Sequence, residues 1–114
     1  MTHDIDIDDY TLPEYITMYI IGKKGPLFRS GIIRQAIKEF GDMIEHGPYL
    51  YGEYSDDIDE AVERLQWDGI TQYVYDHKGR IALTDYGRAY LHEFIKGGAF
   101  EDEEWEKARG RMAL

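Results

Sequence analysis

The sequence predicts a small, mainly α-helical domain carrying one antiparallel β-hairpin. Three observations predict it. Apolar side chains recur at helical spacing over four stretches between residues 11 and 96. The period changes once to strand-like alternation, over residues 70–84. Glycine, proline or a capping residue stands at most of the boundaries.

At 114 residues the chain is one domain's worth, with room for a single modest core. Hydrophobic residues at 43% and aromatics at 14% are too rich for a disordered chain, and 32% charge is too high for a membrane protein. The longest uncharged apolar run, residues 15–22, is far short of the roughly 20 residues a bilayer crossing needs. The absence of cysteine removes disulfides, thiolate nucleophiles and thiolate-bound zinc. The first nine residues lack the basic and apolar regions of a secretory signal, so a cytoplasmic location is expected.

Residues 1–10 form an acidic N-terminal arm with Asp4, Asp6, Asp8 and Asp9 and no Lys or Arg. Strict alternation over residues 4–8 suits either a short edge strand or a solvated arm. The carboxylate spacing resembles a calcium loop. Asp9 replaces the glycine of its sharp turn, however, and Tyr15 stands where the bidentate Glu belongs, so no metal is expected.

The first helix covers residues 12–24, with Leu12, Ile16, Tyr19 and Ile20 on one stripe. Thr11 is its N-cap, Pro13 lies in its first turn, Glu14 completes a capping box, and Gly25-Pro26 ends it. A second helix, residues 30–46, has Ile33, Ile37, Phe40 and Ile44 on one face and stops at Gly47-Pro48. Gly41 inside it costs up to about 1 kcal/mol against Ala and is a candidate break. A tyrosine-bearing loop with Tyr49, Tyr51 and Tyr54 follows, suited to plugging the core or to meeting a partner. Ser55 then caps a third helix, with Ile58, Ala61, Val62 and Leu65 inward and Gly69 at its C′ position.

Residues 70–75 and 80–84 read as paired strands around the turn Asp76-His77-Lys78-Gly79. Thr84 caps a fourth helix whose Tyr86, Tyr90, Leu91 and Phe94 face inward, closed by Gly97-Gly98. Residues 97–114 are a C-terminal extension, acidic first and basic last as a helix dipole prefers. With the core already furnished, this helix is expected to leave the main body.

Three helices, a hairpin and a helix in this order make the winged helix-turn-helix arrangement. Residues 61–70 (AVERLQWDGI) and 83–91 (LTDYGRAYL) resemble the winged-helix signature LxxLxxxGLI … LTxxGxxxL. Gly25-Pro26-Leu27 is similar to the same region of PadR-like regulators. The resemblance covers residues 12–96. It implies a cytoplasmic transcription regulator that binds double-stranded DNA without a cofactor. The third helix would enter the major groove and the wing would touch the backbone or minor groove. It also implies a homodimer formed outside the wing domain, for which Phe100 and Trp105 are the candidates.

Charge complicates the DNA reading. The net charge is −10, and a strong nucleic-acid binder neutralises phosphates with a basic surface. The outer face of the third helix carries Asp56, Asp59, Glu60, Glu63 and Trp67, where a groove reader shows Arg, Lys, Asn or Gln. Candidate phosphate contacts are Arg29, Arg34 and Lys38 around the second helix and Lys78 and Arg80 at the wing. Binding through them is expected to be weak and salt-dependent. The alternative is a protein-interaction module on the same scaffold, using Glu60, Glu63 and Trp67.

No catalytic pattern is present. The histidines His3, His46, His77 and His92 have no metal-ligand spacing, and Ser30 and Ser55 are explained as helix starts. Neither a phosphate-binding P-loop nor a GxGxxG fingerprint occurs, so an enzyme is not expected.

Overall fold

The computed structural model describes residues 5–44, 51–74, 79–97 and 102–112, with backbone alone at 42–44 and 51–56. Among these residues lie α1 (Leu12–Lys24), α2 (Arg29–Ile44), α3 (Tyr51–Trp67), β1 (Thr71–Tyr73), β2 (Ile81–Leu83), α4 (Asp85–Lys96) and α5 (Glu103–Arg111). The protein is thus mainly helical with a small antiparallel sheet.

Helix α1 is the axis of the fold, packed against α2, α3, α4 and β2. Its predicted single stripe is only part of what it buries. Tyr15, Ile16, Met18, Tyr19, Ile20 and Ile21 are all sequestered, because neighbours cover it on several sides. The predicted cap is present, with the Thr11 N–H donating to Glu14 Oε1 at 2.7 Å.

Helix α2 runs unbroken through Gly41, but its inward row is Ile32, Ala36 and Phe40. Ile33 and Ile37, predicted at the centre of that face, lie half-buried on its flank. Ala36 is too small to stand out in a hydrophobic pattern, which pulled the predicted stripe one residue round.

Helix α3 begins at Tyr51 rather than after Ser55, so Ser55 is a helical residue and not the cap. No proline lies between residues 51 and 55, and nothing in that stretch stops the helix from starting earlier. Ile58, Ala61, Val62 and Leu65 are buried as expected. At the other end the Gly69 N–H reaches Gln66 O and the Ile70 N–H reaches Leu65 O, a Schellman motif. Gly69 has φ 76°, a conformation glycine adopts without strain.

The hairpin pairs Thr71 with Leu83, Gln72 with Ala82 and Tyr73 with Ile81. Most of its turn, with His77 and Lys78, lies outside the described residues. Leu27 flanks β2 on the other side, exchanging hydrogen bonds with Ile81 at 3.1 and 2.7 Å. Thr84 joins three elements. Its Oγ1 accepts from the Gly87 N–H at 3.1 Å, capping α4, and lies 2.7 Å from Gly69 O at the end of α3.

On α4, Tyr90, Leu91 and Phe94 are buried as predicted, whereas Tyr86 is partly exposed. Gly87 is the reason. Its Cα faces the Ile70 carbonyl so closely that a Cβ built there would lie 2.3 Å from the oxygen. Placing Gly87 against the sheet turns Tyr86 outward.

Both termini depart from expectation. The N-terminal arm is neither a strand nor a solvated tail over the described residues. Ile7–Asp9 form a 3-10 turn, Ile7 O accepts from the Tyr15 hydroxyl at 2.7 Å, and Tyr10 is buried. Helix α5 does not leave the body. Ala108 and Met112 are buried, and Trp105 lies against Tyr15 and Phe94 with ring centroids 5.8 and 5.6 Å apart. Trp105, Ala108 and Met112 recur at i, i+3 and i+7, an amphipathic stripe that gives α5 a face to bury.

Candidate functional site

The outer face of α3 follows directly from its inner one. With Ile58, Ala61, Val62 and Leu65 turned to the core, Asp59, Glu60, Glu63 and Trp67 must point away. Trp67 is 84% exposed, far more than any other large hydrophobic side chain described. The side chain of Asp56, predicted on this face, lies outside the described residues.

Two arginines, Arg29 and Arg64, are absorbed by carboxylates on or beside this helix. Arg29, at the start of α2, donates from Nε to Asp59 Oδ1 and from Nη2 to the Asp59 carbonyl at 2.9 Å. The same Nη2 stands 3.5 Å from Glu63 Oε2. The Asp59 hydrogen bond holds the Arg29 guanidinium more firmly protonated than usual. Arg64 points the other way, donating to Glu14 and to the Asp9 carbonyl and lying over the Tyr10 ring.

Arg29 was expected to reach phosphate, and its guanidinium is instead an intramolecular partner of α3. Arg34 and Lys38 are exposed on α2, and Arg80 is half-exposed just before β2. Lys78 and Phe100 lie outside the described residues. Trp105, expected in a dimer contact, is occupied within its own chain.

Beside this face is a shallow hollow of about 470 Å³, lined by Arg29, Glu63, Gln66, Trp67 and Tyr73. Tyr73 was missed from sequence. It shares strand parity with Thr71, which is 2% exposed, yet Tyr73 itself is 53% exposed. Glu63 keeps 66% of its side-chain surface in solvent. This arrangement offers carboxylate acceptors, an amide and two aromatic rings at one place, the means of binding a cationic group.

Among the described residues no cluster of His, Asp and Glu has the geometry to hold a metal. Among the described residues no helix is long and apolar enough to cross a membrane. No protein-family model, curated protein or solved structure matches the chain.

Proposed function

We propose that this chain is a winged-helix domain that acts by binding another macromolecule, and that the outer face of α3 meets a basic protein. The order α1–α2–α3–β1–β2–α4, with Leu27 bridging to Ile81 as a third strand-like segment, supports the scaffold. Fold alone does not choose the partner, so the choice rests on the face. One observation carries it: Arg29 is committed to Asp59, leaving Glu60 and Glu63 exposed beside a bare Trp67. A phosphate backbone would meet an excess of carboxylates there, whereas a basic protein surface would find opposite charge and an aromatic anchor.

The test is an anisotropy titration of the full chain against a labelled basic peptide and a labelled mixed-sequence duplex, at low and moderate salt. The peptide should bind and be lost on Glu60→Lys. The duplex should bind weakly if at all, and the same substitution should leave that unchanged or tighten it.

A second reading is the transcription regulator on double-stranded DNA, acting as a homodimer. It draws on the exposed Arg34 and Lys38 of α2 and on Arg80 with Lys78 at the wing. Phosphate contacts from these residues would make affinity fall steeply with salt. Reversing the charges of Lys78 and Arg80 together should then weaken binding on every sequence, and unchanged affinity would exclude that footprint.

A further inference from the structure

We infer that the hollow between the end of α3 and β1 is a docking site for an arginine side chain on a basic segment of a partner protein. The inference rests on the protein-partner reading and specifies its chemistry.

Four things argue for arginine. The first is the aromatic pair. Trp67 and Tyr73 both line the hollow, both are more than half exposed, and neither belongs to the buried core cluster. Neither packs into the core of the described residues, and paired exposed aromatics mark binding surfaces. The second is the acid. Among the described residues Glu63 has a single close cation, Arg29 at 3.5 Å, while Arg29 gives its Nε–H and an Nη2–H to Asp59. The Glu63 carboxylate therefore has acceptor capacity for an incoming donor.

Third, Gln66 lines the same hollow and adds an amide oxygen, a second acceptor for a group with several N–H donors. Fourth, the local charge is right. Asp59 and Glu63 share one cation, Arg29, so the edge of the hollow keeps a net negative charge. A guanidinium is planar and stacks on indole and phenol faces while its edge pairs with a carboxylate. An ammonium is more strongly hydrated and matches this geometry less well. A purely apolar side chain would leave Glu63 desolvated without a partner.

The experiment follows the two indole N–H resonances of the full chain by ¹⁵N-correlated NMR. Trp67 reports the hollow, and Trp105, packed on Phe94, is the internal control. The probes are a short peptide alternating glycine and arginine, its lysine counterpart of equal charge, and a mixed-sequence duplex. The Trp67 signal should move and saturate with the arginine peptide while that of Trp105 stays. The lysine peptide should bind about tenfold more weakly. Trp67→Ala and Glu63→Gln, both at exposed positions, should each cost the arginine peptide about tenfold.

Equal binding of the two peptides, unaffected by Trp67→Ala, would overturn the arginine site. If Glu60→Lys still abolished that binding, the acidic-face reading would survive it. No peptide binding at all, or movement of the Trp67 signal by the duplex alone, would sink both.

Discussion

Arg64 grips Glu14 across fifty positions of sequence, with Nη1 2.8 Å from Oε1 and 3.0 Å from Oε2. The two partners are unequal. Glu14 is 5% exposed near the start of α1, while the Arg64 side chain keeps 48% of its surface in water. The pair ties α3 to α1, and the second Arg64 nitrogen adds the Asp9 carbonyl at 2.8 Å. Removing Arg64 strands a buried carboxylate, so Arg64→Ala should destabilise by about 3 kcal/mol, the low end for breaking a buried pair. Glu14→Gln should cost less, since the amide still accepts from the Thr11 N–H and leaves no unpaired charge. Urea denaturation of both variants checks the order, and an Arg64→Ala loss smaller than that of Glu14→Gln would contradict it.

Glycine substitutions in two helices should have opposite signs. At Gly87 a Cβ would lie 2.3 Å from Ile70 O and 2.8 Å from Leu83 Cδ1. Neither the Ile70 carbonyl, held by the Thr84 N–H, nor the packed Leu83 can yield easily, so Gly87→Ala should cost about 3 kcal/mol. At Gly110 in α5 no described atom outside the helix's own backbone and the adjacent residues lies within 4 Å of where a Cβ would stand. Gly110→Ala should gain up to about 1 kcal/mol from helix propensity. Thermal melts of the two variants should move in opposite directions.

Alkali should unfold the chain through its tyrosines. Burial, and then the hydrogen bond to Asp68, raises the Tyr10 phenol above its ordinary value of 10. Burial also raises Tyr15, and it raises Tyr90 together with hydrogen bonds to Tyr86 and Asp9. Below pH 10 the folded and unfolded chains both keep these protons, so their contribution is complete and constant. Above it the unfolded chain ionises first, and stability falls until pH passes the folded values. Denaturation midpoints should therefore hold steady to about pH 10 and then drop. Tyr90→Phe removes one such group and the 2.8 Å bond to Asp9, so it should lower neutral-pH stability by about 1.5 kcal/mol and flatten the alkaline fall.

What was legible in the sequence is what is decided locally. Gly69 as a helix end and Thr84 as a cap depend on neighbours within a few residues, and both stand as expected. The antiparallel pairing of residues 71–73 with 81–83 follows from alternation around a short turn. The outward face of α3 follows from periodicity, which made Trp67 visible as an exposed residue. Arg29 with Asp59, thirty positions apart, and Arg64 with Glu14 are set by tertiary packing, and no spacing rule announces them. The hollow was half legible for the same reason: Trp67 is a helical-face residue, while Tyr73 reaches the site only through the path of β1.

Trp105 decides what the C-terminal helix is for. Expected at a dimer contact, it instead lies against the edge of the Tyr15–Phe94 pair, whose own rings stack at 4.3 Å. Ala108 and Met112 extend that seam into the core. Trp105→Ala would remove a large ring from one edge of the core and loosen the anchor of α5. A loss of about 3 kcal/mol is expected, the low end for aromatic-to-alanine changes because Trp105 is only partly buried. The effect should be independent of protein concentration, since the contacts are within one chain. An interfacial Trp105 would behave differently: the wild-type melting temperature would rise with concentration, and replacing Trp105 would halve the mass seen by light scattering. Measuring mass and melting temperature over a wide concentration range for both chains separates the two roles, and an unchanged mass with a lowered, concentration-independent melt is the outcome this packing demands.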